Sequence, residues 1–111
     1  STGICFSSRS KLQRLWMKIQ SISKRRLREL ILSLGFEEEE GKHHLFFYFR
    51  YKGKIYVRTK ISHGGSKDVF QPILGLMGRQ LCLTRQEFEG FLSGKLSKGE
   101  YIKILEGKRI L

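Results

Sequence analysis

Hydrophobic and polar residues alternate along two neighbouring segments near the middle of the chain. The segments extend from Leu45 to Phe49 and from Ile55 to Ile61, and both are rich in aromatic and β-branched residues, which favour strands. Successive side chains of a strand face opposite sides, so each segment has an apolar face and a polar face. The pattern therefore predicts a β-hairpin.

The two faces of this predicted hairpin carry different chemistry. One is apolar and is expected to face the core; the other combines aromatic rings with cations, a composition that stacks on nucleobases and neutralises phosphates. It also suits a solvated face on which aromatic rings shield arginine stems. The expected apolar face comprises Leu45, Phe47, Phe49, Ile55, Val57, Thr59 and Ile61. The expected outer face comprises His44, Phe46, Tyr48, Arg50, Tyr56, Arg58 and Lys60.

The turn of the hairpin is predicted to contain three residues. Cross-strand partners share a face, and a two-residue loop at Lys52 and Gly53 would set Phe49 against Tyr56. A three-residue loop centred on the same two residues, with Gly53 at positive φ in a bulged turn, aligns the apolar sets.

Helical periodicity appears on both sides of the hairpin. Ser23 is expected to cap a helix over residues 24–34 that stops at Gly35. Lys24 opens that helix as a cation in the first turn, which the helix dipole disfavours; phosphate contact or a solvated face would account for it. The apolar stripe of the helix comprises Leu27, Leu30, Ile31 and Leu34.

The segments around the hairpin complete an α+β pattern. Phe36 to Glu40 is predicted to be a short acidic strand, and residues 62–68 a loop that opens a further helix. Pro72 is expected in the first turn of that helix, and Gly75 and Gly78 are expected to allow close packing against the sheet. The predicted buried side of the helix comprises Val69, Phe70, Ile73, Leu74, Met77 and Leu81.

Both ends of the chain are predicted to be helical. Residues 12–19 have the spacing of a short amphipathic helix, carried by Leu12, Leu15, Trp16 and Ile19. Two capping boxes, Thr84 with Glu87 and Ser97 with Glu100, predict two short helices near the end, after which Lys108 and Arg109 are expected to be frayed and solvated. The expected organisation is an N-terminal extension over residues 1–22, a core domain over 23–82 and a helical extension over 83–111.

The charge balance points to a polyanionic partner. The 111 residues include 22 Lys and Arg against 10 Asp and Glu, a formal net charge of +12, and nucleic acid is the commonest polyanion. An anionic membrane would call for a long amphipathic helix, and no apolar segment is long enough to span a bilayer. Cys5 and Cys82 lack metal-ligand spacing. We therefore expect a protein of the reducing cytoplasm with no membrane partner.

Three segments carry a family pattern, namely RELILSLGF at residues 28–36, GKHHLFFY at 41–48 and ISHGGSKDV at 61–69. With the order helix, three strands, helix, they resemble the HicA-type toxins of bacterial and archaeal toxin–antitoxin systems over residues 23 to 81. The resemblance implies an α-β-β-β-α core like a double-stranded-RNA-binding domain, cleavage of mRNA, and neutralisation by a HicB-type antitoxin. It also implies that His43, the first histidine after the glycine, is catalytic. Lys42 stands where serine is common in that family.

An imidazole suits RNA cleavage without a metal or cofactor. Its ordinary pKa of about 6.5 lets it accept a proton from a ribose 2′-hydroxyl or donate one to the leaving 5′-oxygen. Strict alternation places His44 on the open face and His43 on the apolar face, unless the strand begins at His44 and leaves His43 in the preceding turn. His63 is a weaker candidate, expected to be a loop residue. The expected RNA contacts are Gly41, Lys42, His44, Phe46, Tyr48, Arg50, Tyr56, Arg58, Lys60 and Lys67, and Lys42, Arg58 or Lys60 could stabilise charge on the scissile phosphate.

Two other functions fit the same residues. One is an RNA-binding module without chemistry, and the other is a basic domain that docks an acidic protein. In both, the histidines serve structure alone. Magnesium chemistry is disfavoured because the consecutive acids Glu37 to Glu40 would point to opposite faces of a strand, and the phosphate-binding loop pattern of nucleotide hydrolases is absent.

Overall fold

The computed structural model describes residues 19–111 as an α+β fold, as the sequence predicted. The predicted helix at residues 12–19 lies outside the described residues except for Ile19, which is not helical. In chain order the elements are β1 (Ser21–Ser23), α1 (Lys24–Ser33), β2 (Glu37–Glu40), β3 (His44–Tyr51), β4 (Lys54–Ser62), β5 (Asp68–Phe70), α2 (Ile73–Gln80), α3 (Arg85–Leu92) and α4 (Lys98–Gly107).

Two antiparallel sheets organise the fold. A three-stranded sheet has the order β2-β3-β4, and a two-stranded ribbon joins β1 to β5. In the ribbon Ile22 lies opposite Val69, and the Gln71 N–H donates to the Gln20 carbonyl at 3.1 Å. The ribbon corrects the prediction for residues 69–70, which are extended instead of helical because they pair with a segment almost fifty residues earlier.

The helix boundaries follow local capping chemistry. The Ser23 side chain accepts a hydrogen bond from the Arg26 N–H at 3.1 Å, and α1 stops before Gly35, whose φ is +94°. Both predicted capping boxes are present, at Thr84 with Glu87 and at Ser97 with Glu100. These predictions are confirmed. The sequence could give them because each cap depends only on residues that are close in the chain.

The hairpin turn differs from the predicted one. Tyr51 pairs with Lys54, which leaves a two-residue loop, and Lys52 and Gly53 have φ of +51° and +84°, the signs that a tight hairpin turn of this kind requires. The three-residue prediction is therefore wrong. The odd residue is absorbed within the strands by a β-bulge at Tyr56, between the pairs Phe49–Val57 and Arg50–Ile55.

The bulge aligns the buried residues of the two strands, as predicted, but exchanges the faces of two neighbouring side chains. Phe49 lies opposite Val57 and Leu45 opposite Ile61. Ile55 instead pairs with Arg50 on the outer face. Tyr56 is half-buried, packs against the core and lies 5.3 Å from the Lys54 ammonium. The predicted outer-face position of Tyr56 is therefore wrong.

The C-terminal helices supply part of the central core. Tyr101 of α4 is fully buried and lies 5.3 Å from Phe49 and 5.8 Å from Phe36, measured between ring centroids. Its hydroxyl donates to the Leu81 carbonyl at 2.9 Å. Residues 83–111 therefore pack into the same core as the sheet.

Lys108 is not frayed, contrary to the sequence prediction. Its ammonium donates to the Cys82 carbonyl at 2.6 Å and to a Glu87 carboxylate oxygen at 2.7 Å. The end of α4 is thereby held against the start of α3. Arg109 is exposed, as expected.

Helix α2 buries a narrower face than its apolar residues suggested. Leu74, Met77 and Leu81 are buried, whereas Phe70 and Ile73, both predicted to be buried, are 49% and 53% exposed. The helix begins only at Ile73, so the predicted stripe does not continue back to Phe70.

A glycine of α2 packs on another helix instead of on the sheet. A Cβ added at Gly78 would lie 3.2 Å from Cγ of Phe88, so Gly78 allows close contact with α3. None of the helices within residues 19–111 is long and apolar enough to cross a membrane.

Candidate functional site

The outer face of the three-stranded sheet has three parallel columns of side chains. The register sets Tyr48 between Glu37 and Arg58, and Phe46 between Glu39 and Lys60. Acids therefore line the β2 edge, aromatic rings the middle strand, and cations the β4 edge. This corrects the expectation of a face that is wholly aromatic and cationic.

The cations on β4 are exposed, whereas the neighbouring Arg50 is paired. The Arg58 guanidinium lies 6.0 Å from the centroid of the Tyr48 ring, within the range of a cation–π contact. Lys60 is exposed beside Phe46. Arg50 donates from Nε to Glu37 at 2.9 Å, so the acidic column neutralises it.

A second arginine–glutamate pair lies between α1 and β2. Arg28 donates from Nε to Glu38 at 2.5 Å. This hydrogen bond holds the pKa of the Glu38 carboxyl below its ordinary value, and the same pair raises the pKa of Arg28. Because Glu38 alternates with Glu37 and Glu39 along β2, this pair is separate from the outer face.

A shallow cavity of about 240 Å³ lies along the aromatic and basic columns. A further cavity of about 320 Å³ lies at the acidic edge, and Arg50 and Ile55 are among the residues that line it. Among residues 19–111, no three His, Cys, Asp or Glu side chains are grouped as metal ligands. The lining of the first cavity comprises Phe46, Tyr48, Arg58, Thr59, Lys60 and Gln80.

All three histidines of the chain lie at one end of the sheet. His44 pairs with Ser62 at the end of β3 and β4. One position further on, the His63 N–H donates to the His43 carbonyl at 3.0 Å. The hairpin thus brings His63 next to His43, the residue that the family resemblance implies is catalytic.

The turn from β2 to β3 exposes His43. Strand β3 begins at His44, so His43 lies in the preceding turn and is exposed, as is Lys42. The alternation argument that placed His43 on the apolar face therefore does not apply. His44 is half-buried, with its ring 5.9 Å from that of Phe46.

Gly41 allows this turn to approach the outer face closely. Its N–H donates to the His44 carbonyl at 2.9 Å. A Cβ at this position would lie 2.5 Å from Cε2 of Phe46 and 2.9 Å from the His44 carbonyl oxygen. Both distances are shorter than van der Waals contacts, so the packing at this position leaves no room for a side chain.

Replacing Gly41 with alanine is expected to destabilise the protein by about 1–3 kcal/mol, the usual effect of overpacking. Phe46→Ala removes one of the two clashing groups. Gly41→Ala should therefore destabilise the Phe46→Ala protein less than it destabilises the wild type. Urea denaturation of the four proteins of this double-mutant cycle measures the coupling. Simple additivity of the two losses would contradict the packing described.

His63 is held by more hydrogen bonds than the sequence suggested. Its Nε2 lies 3.0 Å from the Gly41 carbonyl oxygen. On either side of it, the carbonyls of Ser62 and Gly64 accept hydrogen bonds of 2.8 Å from the Lys24 ammonium. Lys24 therefore anchors the loop, which accounts for a cation in the first turn of α1 without a phosphate ligand.

Lys67 completes the predicted set of binding residues. It is exposed on the loop between β4 and β5, and its carbonyl accepts a hydrogen bond from the Lys24 N–H at 2.8 Å. Arg50 and Tyr56 differ from the expectation, the first by its ion pair and the second by its position against the core. The predicted residues that line the outer face or its histidine end are Gly41, Lys42, His43, His44, Phe46, Tyr48, Arg58 and Lys60.

Comparison of the chain with models of protein families, with curated proteins and with solved structures gives no match. The resemblance to HicA-type toxins therefore rests on the three sequence segments that carry it. The function has to be argued from the side chains of the site.

Proposed function

We propose that the chain is an RNA-binding, metal-independent endoribonuclease, a HicA-like toxin that cleaves mRNA. One observation carries this proposal: the exposed His43 lies at the end of a sheet face that bears aromatic rings and exposed cations. That face supplies groups for binding a ribose-phosphate strand. The imidazole supplies the proton transfer that cleavage needs.

The columns of the outer face favour one path for the RNA. Alternate residues of a strand are about 7 Å apart, so Arg58 and Lys60 offer successive positive charges that lead along β4 towards His63. Phe46 and Tyr48 lie beside them and offer surfaces for base stacking, worth about 1–3 kcal/mol per base. The acids of β2 repel phosphates, which favours a backbone path along β4.

The cleavage step needs only the RNA and groups that transfer protons. The His43 imidazole accepts the proton of a 2′-hydroxyl, and the 2′-oxygen then attacks the adjacent phosphorus. The P–O5′ bond breaks, and the leaving 5′-oxygen takes a proton from solvent water or from a second protonated group. Lys42, next to His43 in the turn, and Lys60 on β4 are exposed cations, and they offset the charge that builds up on the phosphate.

The same resemblance gives the proposed protein partner, a HicB-type antitoxin. An antitoxin that covers the histidine end would compete with RNA for His43 and the β4 cations. An RNA-binding module without chemistry is the second candidate, because the aromatic and basic columns support binding whether or not His43 transfers protons.

Replacing Arg58 and Lys60 together with alanine tests the RNA site. Each cation that neutralises a phosphate of a single strand contributes about 0.7 to the slope of log affinity against log salt. The double variant should therefore bind single-stranded RNA more weakly, with a slope shallower by about 1.4, and should cleave it more slowly. Binding is measured by fluorescence anisotropy at several salt concentrations, and cleavage on gels, both in chelator.

The matched control is the double variant Lys95→Ala and Lys103→Ala, which removes the same charge from exposed positions after α3 and on α4. Its slope should stay closer to that of the wild type. Equal losses in the two double variants would mean that net charge alone accounts for RNA binding, without a site at Arg58 and Lys60. Absence of both binding and cleavage in the wild type would overturn the proposed function.

A further inference from the structure

The loop between β4 and β5, which contains His63, is held by several hydrogen bonds. The backbone of His63 is bonded to His43, its ring to Gly41, and its two flanking carbonyls to Lys24. Yet the residue is exposed. A ring held in place at the surface, next to another exposed imidazole, is the arrangement expected of a reacting group.

A backbone hydrogen bond places His63 next to His43. His44 pairs with Ser62, and one residue beyond that pair the His63 N–H donates to the His43 carbonyl at 3.0 Å. Both residues are exposed. They therefore lie side by side at the end of the sheet, within reach of one phosphodiester.

The bond to Gly41 determines which nitrogen of His63 is available. A carbonyl oxygen only accepts hydrogen bonds, so the contact with Nε2 requires that Nε2 carries the hydrogen. In the neutral ring Nδ1 is then the proton acceptor, and in the charged ring it is a second donor. A base oriented by a third group through its other nitrogen is a common feature of catalytic sites.

We propose that His63 is a second acid–base residue of the RNA cleavage, acting through Nδ1 beside His43. This inference rests on the proposed function. One imidazole accepts the 2′-hydroxyl proton as the 2′-O–P bond forms, and the other, initially protonated, donates to the 5′-oxygen as the P–O5′ bond breaks. The products are a 2′,3′-cyclic phosphate and a 5′-hydroxyl, and the two rings have exchanged protonation states.

The charged groups around this end are mostly cations. Lys42 is exposed in the turn beside His43, and Lys24 of α1 and Lys60 of β4 line a cavity of about 250 Å³ together with Asp68. The acid next to the turn in sequence is Glu40, which is exposed. Cations favour the approach of a phosphate to the two rings.

Two substitutions of His63 separate chemistry from positioning. His63→Ala removes the ring, whereas in His63→Gln an amide N–H can still reach the Gly41 carbonyl but cannot exchange protons. Both should lower kcat/KM for RNA in chelator by about 10²- to 10⁴-fold, with RNA affinity and circular dichroism unchanged. The wild-type pH–rate profile should be bell-shaped, and His43→Ala and His63→Ala should each lose a different limb.

The outcomes distinguish this inference from the function on which it rests. Wild-type protein that leaves RNA intact would overturn both. Cleavage that depends on His43 but persists in His63→Ala would overturn the role of His63 and leave the function standing. Loss of cleavage in His63→Ala with full activity in His63→Gln would make His63 a positioning residue. Equal loss in His63→Ala and His63→Gln, with His43→Ala and His63→Ala losing opposite limbs of the pH–rate profile, would support a second acid–base residue.

Discussion

Replacing His43 with alanine is expected to lower RNA cleavage by about 10²- to 10⁴-fold, the usual contribution of a general acid–base group. RNA affinity should stay at the wild-type value, because the aromatic and basic columns that we propose as the RNA-binding surface do not include the His43 ring. The measurement is single-turnover cleavage of labelled RNA in chelator, together with anisotropy binding of the same RNA.

His44 provides the matched control for this prediction. Its ring is half-buried against Phe46, so His44→Ala should weaken RNA binding through lost stacking while the chemical step at saturating protein stays close to wild type. If His44→Ala abolishes cleavage and His43→Ala does not, the two neighbouring histidines have been assigned in the wrong order. Unchanged cleavage in both variants would leave a binding module.

Truncating Tyr101 to alanine is expected to destabilise the protein by about 3–5 kcal/mol, the range for removing a large buried ring. Tyr101 is fully buried and packs against both Phe36 and Phe49, so the truncation opens a cavity beneath the sheet. Tyr101→Phe keeps the ring but removes the donor to the Leu81 carbonyl, which should cost about 1–3 kcal/mol. Urea denaturation followed by circular dichroism measures both.

The buried Tyr101 phenol should make the protein less stable as the pH rises in the alkaline range. Burial, with a smaller contribution from Cys82, raises the phenol pKa above its ordinary value. The contribution of the phenol to the free energy of unfolding is fully present below the unfolded-state pKa of about 10. Above that pH the unfolded chain loses a proton that the folded chain retains, so stability should fall by about 1.4 kcal/mol per pH unit.

Tyr101→Phe isolates this term from other alkaline titrations. The difference in unfolding free energy between wild type and Tyr101→Phe should shrink as pH rises above 10, because the variant lacks the phenol. A difference that stays constant between pH 9 and pH 11 would mean that the ring is not sealed in the core. It would also contradict the position of α4 against the sheet.

The hairpin illustrates what the sequence could predict and what it could not. Alternation assigned Phe47, Phe49 and Val57 to the core, and they are buried. It could not tell a longer loop from a bulge, because either one absorbs the odd residue and gives the same pairing of the apolar sets. The structure has the bulge at Tyr56. Ile55, predicted on the apolar face, therefore lies on the outer face, and Tyr56, predicted on the outer face, packs against the core.

Contacts between distant segments account for the other errors. A three-residue strand such as β5 exists because it pairs with β1, and nothing local to Phe70 signals that partner. Lys108 was expected to be solvated because its partners, Cys82 and Glu87, are more than twenty residues away. From the sequence alone, His63 is only a weaker candidate in a loop. Its position beside His43 follows from the strand register, which places it one residue beyond the pair of His44 and Ser62.

In the proposed reaction, imidazole groups cleave RNA through its 2′-hydroxyl without a metal. The direct measurement compares an RNA oligonucleotide, its all-DNA counterpart and a version with one 2′-deoxy substitution at the mapped cleavage position, all in excess chelator. We predict that only the RNA is cut at that position, leaving a 2′,3′-cyclic phosphate and a 5′-hydroxyl. Intact RNA, or equal cutting of the 2′-deoxy version, would contradict the account.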